Sequence, residues 1–453
     1  MSYRHQKGIP GLYGGDARGL YGSRSYGVRN TMIYGKPPSP RWPKIVIAVL
    51  LVLVVVLCIR QFACGGIIPK GNDQQQQQEQ VQQDQQQEAT QQEEQQPVAS
   101  GVSGTVTISA VGDCTLGTDI NLPEDTNFTK VYKTNNDAYF FKRVASYLES
   151  DDITIANLEG ALTNKTEKED KGEGSFNFRG PTKYANILTK GSVEVCNLAN
   201  NHSFDYGSDG YADTKKTLDK AKIGYFCADL TYVKEVNGIK VGFMGINATA
   251  GYDTATDTMK QSAKALRNED CDLVIGVFHW GVEGDYKVES DQVKLAHAAV
   301  DAGCNLVLGG HPHLLQGIES YNGANIVYSL GNFVFGGNDD PMDYETMIYQ
   351  QTFTFENGQL VADATASSAQ IIPCRLSTSK KVNNYQPMAV SGDEGTKIVK
   401  NVNKRSSALK GTAVQFSTTL DDDNIAKVKY RQGGDSARLA LSCSDTKFCT
   451  RGA

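Results

Sequence analysis

Asn305-Leu-Val-Leu-Gly-Gly-His-Pro-His313 is an apolar run that stops at two glycines and then offers two histidines one residue apart. A short apolar run bounded by glycine reads as a buried strand, and the loop beyond such a strand is where an α/β sheet presents side chains to a ligand crevice. His311 and His313 would lie in that loop. Two imidazoles so placed can face one metal ion or divide between two ions roughly 3.5–4 Å apart.

Around this stretch, short apolar runs alternate with amphipathic ones. Val106–Val111, Ile153–Ala156, Val193–Leu198, Lys240–Ile246, Asp272–Phe278 and the run Asn325–Phe333 are predicted strands; Ala138–Ser150, Tyr211–Lys222 and Gln292–Asp301 are predicted helices. That alternation predicts an α/β layered domain with a largely buried sheet. Of the six histidines, His202, His279, His311 and His313 fall at strand ends, His297 lies inside a predicted helix as a structural residue, and His5 is near the N-terminus. Strand ends also carry Asp113, Asn157, Glu159, Asn200 and Asn201, polar groups that are costly to bury unpaired. Carboxylate, amide and imidazole together suit Mn, Fe or Zn better than Cu(I) or Ca.

The bulk composition is uneven. The chain has 453 residues, 40% of them hydrophobic, and a formal charge of −6, a mild acidic balance that argues against nucleic acid as the main partner. Residues 1–44 hold eight Lys and Arg (Arg4, Lys7, Arg18, Arg24, Arg29, Lys36, Arg41, Lys44) against one acid, Asp16, and too few aliphatics for a core, so a disordered basic tail is expected. Residues 45–62 are expected to form a transmembrane helix: from Ile45 to Ile59 every residue is apolar or Cys. That run spans only about 22 Å of a ~30 Å hydrocarbon layer, with Lys44 and Arg60 able to snorkel at its ends. The positive flank places the tail in the cytoplasm and the main domain outside, as a single-pass cell-membrane protein. Residues 70–100 form a Gln/Glu-rich linker without an apolar stripe.

The main domain is expected over 104–370 and a less defined extension over 371–453. Gln350–Glu356 followed by Asn357-Gly358 reads as one arm and the turn of a hairpin. The polar, Lys-rich stretch 375–415 reads as a mobile insertion or linker, and Val428–Leu441 as a further strand pair. No CxxC occurs among the cysteines; Cys196, Cys227 and Cys304 sit in strand-like runs as apolar filler, and Cys443 with Cys449 is a candidate local disulfide.

Six motifs then occur in order: Ala110-Val-Gly-Asp113, Ala156-Asn-Leu-Glu-Gly160, Asn197-Leu-Ala-Asn-Asn-His-Ser-Phe-Asp-Tyr-Gly207, His279-Trp-Gly-Val-Glu283, Gly310-His-Pro-His313 and Tyr328-Ser-Leu-Gly-Asn-Phe333. In them the chain resembles, over about residues 105–340, the CapA family, membrane-anchored bacterial proteins of poly-γ-glutamate capsule synthesis related to the calcineurin-like metallophosphoesterases. The resemblance implies a four-layer αββα sandwich with a crevice for one or two divalent ions. By the same resemblance Asp113, Glu159, Asn201, His279, His311 and His313 look like metal ligands, and His202 with Asp205 like the catalytic pair. Asn157 beside the site and Arg179, in Phe176-Asn-Phe-Arg-Gly-Pro181, are candidate substrate-binding residues, the arginine because it can grip an anion bidentately. Glu283 is a candidate partner for a histidine N–H, while Ser329 and Asn332 are expected to tie their loop together.

The chain also departs from the superfamily. Asp113-Cys114-Thr115 has Thr where Asp-x-His is usual, Glu159 replaces the bridging Asp, and Asp205 lies three residues after His202 rather than beside it. Two readings follow: a metal-dependent hydrolase of an anionic polymer or phosphoester, or a catalytically silent scaffold that binds the polymer or the capsule synthase subunits. An unrelated adhesin is set aside, since it needs no such convergence of histidines.

Overall fold

The computed structural model describes residues 101–172, 174–362 and 367–429. The basic tail, the 45–62 span, the linker up to residue 100, the Cys443–Cys449 pair and nearly all of Val428–Leu441 lie outside the described residues. Among the described residues no helix is long and apolar enough to cross a membrane.

The fold is mixed α/β. One sheet has the spatial order Met388–Ala389, Gln370–Arg375, Glu345–Glu356, Gly104–Thr115, Ile153–Leu158, Val195–Asn197, Gly224–Phe226, with the last four strands mutually parallel. A second sheet runs Thr412–Ala413, Ile318–Tyr321, Ala324–Val327, Leu306–Gly310, Leu273–His279, Ile239–Asn247, Tyr232–Val236, parallel through its middle. A shared core lies between them: Ile108, Ile155 and Val195 of the first sheet cluster with Val241, Ile275 and Leu308 of the second. Helices cover the outer faces. Ile187, Leu188 and Leu218 pack over Ala156, Leu158 and Cys196; Met259, Leu266, Leu295 and Ala299 pack over Met244, Val274 and Val307.

Strand periodicity explains where the site falls. Inward positions 153, 155 and 157, or 273, 275, 277 and 279, are apolar along the strand and turn polar only at the last member, Asn157 or His279. In Gly104–Thr115 the inward set is 106, 108 and 110, and the register shifts between Val111 and Asp113. Gly112 is the extra residue of that bulge, so Asp113 inherits the inward face and Cys114 returns to the helix-side core. Only glycine fits there, because a Cβ on Gly112 would lie 2.0 Å from the Gly331 carbonyl oxygen.

Three expectations need correction. Ala138–Ser150 is not one helix but a 3-10 turn, Asp137–Tyr139, and a single helical turn, Ala145–Leu148. Consecutive aromatics are buried in different directions there, Phe140 on Phe128 and Phe141 against Phe333, which a continuous helix could not satisfy. Asn325–Phe333 is two strands in two sheets, Ala324–Val327 and Asn332–Phe335, the latter parallel to Gly104–Thr115. And 375–415 is no linker: the helix Gly392–Ser407 buries Ile398, Val399 and Val402 in the inter-sheet core. The hairpin does form, with Glu345–Glu356 antiparallel to Gln359–Leu360 and both turn residues left-handed, Asn357 at φ 51° and Gly358 at φ 76°. Cys196, Cys227 and Cys304 are buried free thiols.

Candidate metal centre

The C-terminal ends of the parallel strands from both sheets meet in one crevice. The first sheet contributes Asp113, Glu159, Asn201 and His202; the second contributes His279, His311 and His313. Leu306–Gly310 ends on Gly310, whose missing Cβ would stand 2.5 Å from Asp113 Oδ1. The chain then turns through two left-handed histidines, His311 at φ 94° and His313 at φ 58°, backbone that non-glycine residues rarely adopt and that concentrates at functional sites.

Asp113 is fully buried and well supplied with donors. Its Oδ1 accepts from Asn157 Nδ2 at 2.8 Å, its Oδ2 accepts from the His311 backbone N–H at 3.1 Å, and His313 Nδ1 stands 3.3 Å from Oδ2. Burial works to raise its pKa, but His313, His279 and Asn157 outweigh it and hold the carboxyl at about 2. His313 is the partner in that ion pair: burial opposes its charge, yet Glu159 and Asp113 raise it to about 10.

Glu159 is equally buried and has nothing comparable. Neither carboxylate oxygen has a hydrogen-bond partner among the described residues; Oε1 lies 3.5 Å from His279 Nε2 and 3.9 Å from His202 Nε2. Burial and the Asp113 charge push its pKa up to about 8. His279 and His311 are driven down to about 3, chiefly by burial, so both are neutral imidazoles with lone pairs to offer. His311 Nδ1 is also buried without a hydrogen-bond partner among the described residues.

These features pass the test for a cation. A buried carboxylate left unpaired costs several kcal/mol, and a divalent ion removes that cost while reversing the pKa logic of its surroundings. Two groups have ligand atoms all within 4.8 Å of one another, Glu159 with His311 and His313, and Asp113 with Glu159 and His279. They share Glu159. Asn201 Oδ1 lies beside the second group, 2.8 Å from His279 Nε2. Cys114, pushed up to about 12 by burial, faces the helix-side core and is no thiolate ligand. Thr115 is buried with its hydroxyl unpartnered among the described residues.

His202 stands beside this cluster, its ring tilted against Phe178 at 4.3 Å between centroids, and donates from Nδ1 to Asp205 Oδ2 at 2.8 Å. The three-residue spacing is bridged because His202 and Asp205 occupy one tight turn, Asp205 N–H donating to the His202 carbonyl. Asp205 is wholly buried.

The two candidate substrate-binding residues are placed otherwise. Asn157 has its side-chain amide engaged: besides Asp113 it faces His279 Nδ1 at 3.3 Å, and its Oδ1 accepts from Asn197 at 2.9 Å and Asn200 at 3.2 Å. Arg179 donates to the Lys165 carbonyl at 2.6 Å and stacks over Tyr206, turned to its own loop. Glu283 is exposed and reaches the histidines through its charge alone. Ser329 accepts from Gly331 N–H and ties its own loop as expected, while Asn332 reaches across to His313 Nδ1 at 2.9 Å. His297 is structural, donating to Glu319 at 3.0 Å and lying flat on Tyr321. Sequence reading missed Lys171, which reaches Asp205 from a charged loop with nothing in its pattern to single it out.

Comparison with known proteins adds the context. The family model described as "Bacterial capsule synthesis protein PGA_cap" matches residues 107–337. "Capsule biosynthesis protein CapA" of Bacillus anthracis is 31% identical over 262 residues, 53% of this chain and 62% of that protein. "PGA biosynthesis protein CapA" of Bacillus subtilis is 30% identical over 253 residues, 51% of this chain and 63% of that protein. A "Probable polyglutamine synthesis accessory protein" of Mycobacterium tuberculosis is 27% identical over 268 residues, 50% and 66%. The chain thus spans a little under two thirds of the length of these relatives, and the matched part contains the whole crevice.

Proposed function

The chain belongs to the PGA_cap family of bacterial capsule synthesis proteins, and from that premise we propose that it is a membrane-anchored, extracellular component of poly-γ-glutamate-type capsular polymer synthesis or export, with a metal-dependent phosphoesterase-type site in a four-layer αββα, metallophosphoesterase-like domain. Residues 45–62 would be its single membrane span, with the N-terminus cytoplasmic. Its partners would be the anionic polymer or a phosphoester and the capsule synthase subunits.

The observation that carries the catalytic part is Glu159, common to two ligand triads and without a hydrogen-bond partner among the described residues. Asp113, Glu159, Asn201, His279, His311 and His313 would hold one or two ions, with Mn, Fe or Zn matching the donor set. Bound there, such ions supply Lewis acidity and positive charge to an anionic ester. The chain's own part is orientation and proton handling. Asn157 and Asn332 aim Asp113 and His313; Asp205 fixes the His202 tautomer with the Nε2 lone pair toward the crevice, where it can take up a proton and hand it on to a leaving oxygen. The second reading, a silent scaffold, draws on Thr115, whose hydroxyl stands where a fuller site carries a histidine.

Metal analysis of the purified protein separates them. One or two bound ions per chain are expected for the wild type, fewer for His279→Ala or for His313→Ala, and near none for Glu159→Ala, with phosphodiester hydrolysis in added Mn or Zn falling in parallel. No retained metal and no hydrolysis under any of these conditions would sink the enzyme.

A further inference from the structure

Lys171 lies in the loop joining the short strands Ala161–Leu162 and Arg179–Gly180, its side chain 27% exposed. Its ammonium pairs with Asp205 Oδ1, donates to the Asn201 carbonyl at 3.1 Å and stands 3.5 Å from His202 Nδ1. Every oxygen of the buried Asp205 is therefore committed, since Oδ2 accepts both His202 Nδ1–H at 2.8 Å and Phe178 N–H at 2.6 Å.

We propose that Lys171 is a positioning residue for His202. Its ammonium holds Asp205 Oδ1, which sets the carboxylate plane, and the other oxygen of that carboxylate sets the imidazole with Nε2 facing Glu159 at 3.9 Å. The same ammonium also donates to the Asn201 carbonyl. The ammonium gives Asp205 a charge-assisted bond on the oxygen that neither His202 nor Phe178 N–H occupies.

Anchoring the loop is not what Lys171 is for. The loop is fastened separately: Asn177 N–H donates to Asp119 Oδ2 at 2.6 Å, Asn177 Nδ2 to the carbonyls of Glu169 and Asp205 at 3.2 Å, and Glu169 N–H to the Asp205 carbonyl at 2.9 Å. Removing the ammonium leaves all of these in place. The inference rests on the reading that His202 serves the reaction, and the test keeps the two apart.

The full chain is compared with Lys171→Met, Lys171→Gln and Lys171→Arg. For a phosphodiester substrate, kcat of the Met and Gln variants should fall about 10–100-fold, with metal content unchanged. KM should stay within about twofold, and the Arg variant should recover most of the rate. A readout free of turnover is the His202 Nδ1–H proton in 15N-histidine-labelled protein, where six histidines keep the spectrum simple. That resonance should be downfield and protected in the wild type and Lys171→Arg, and lost to exchange in the Met and Gln variants. Wild-type kcat with a retained resonance in Lys171→Met and Lys171→Gln would overturn the assignment, as would an Arg variant as impaired as Met. Should the wild type hydrolyse no ester, the proposed function fails while the resonance alone still decides Lys171.

Discussion

Asp113 and Glu159 are carboxylates buried in the same crevice, yet one is held at about 2 and the other pushed to about 8. Burial acts on both; the difference is that Asp113 has His313 as a hydrogen-bonded, charged partner, with His279 and Asn157 adding to it, whereas Glu159 has no hydrogen-bond partner among the described residues and faces the Asp113 charge. A third acid shows the burial effect away from the crevice. Asp151 precedes Ile153–Leu158, at the end of the strand opposite the site, and burial raises its carboxyl to about 7 although the Thr154 hydroxyl donates to it at 2.7 Å. Between the usual carboxylate range and pH 7 the folded chain keeps a proton that the unfolded chain has released. Stability is thus present at low pH and lost as pH rises through that window. Asp151→Asn, which keeps an acceptor for Thr154, should raise Tm by about 2–4 °C at pH 8 and little at pH 4. An equal shift at both pH values in thermal melts would contradict this. At this scale the histidines were legible because imidazole at the end of an apolar run is poor core material. Lys171 was not, since a lysine among alternating charges looks like any solvated face.

Strands place the crevice by running apolar on the inward face until their last residue. Leu306–Gly310 does this with a glycine, which lets His311 N–H approach Asp113 Oδ2. Gly310→Ala puts a methyl 2.5 Å from Asp113 Oδ1 and should cost about 1–3 kcal/mol in urea denaturation, with reduced metal retention. Unchanged stability together with unchanged metal content would show that the strand end has slack the geometry denies. Periodicity made these strands readable, because two-sided burial leaves apolar runs with sharp polar ends. It failed for Ala138–Ser150, where Phe140 and Phe141 look helical in pattern but are claimed by separate aromatic neighbours, Phe128 and Phe333. Such a conflict is invisible until the partners, distant in sequence, are known.

The domain does not end where the family likeness does. Gln370–Arg375 pairs with Glu345–Glu356, and the helix Gly392–Ser407 sends Arg405 over the Tyr286 ring at 4.2 Å and to within 3.7 Å of Glu345. Tyr286 lies in the loop that leaves His279, so the C-terminal segment buttresses the crevice from outside it. Truncation after residue 370 should abolish cooperative thermal unfolding, because Ile371, Ile372, Ile398, Val399 and Val402 leave the core together. A truncated chain that melts like the full one would refute this. The segment escaped sequence reading because its lysines and asparagines mask an apolar stripe at 398, 399 and 402, helical spacing inside a polar composition.

The crevice straddles a seam. Asp113 and Glu159 hang from one sheet and the three histidines from the other, while Tyr328–Gly331 carries the chain across, bonded on both banks through Leu330 N–H to the Gly309 carbonyl and Asp113 N–H to the Gly331 carbonyl. Any cation shared by the two halves would therefore be a removable rivet between sheets. By mass action its contribution grows with the logarithm of free ion concentration. The lifetime of the folded domain would then track the ionic composition of its surroundings, with the crossing strap keeping the halves in register whenever the rivet is out.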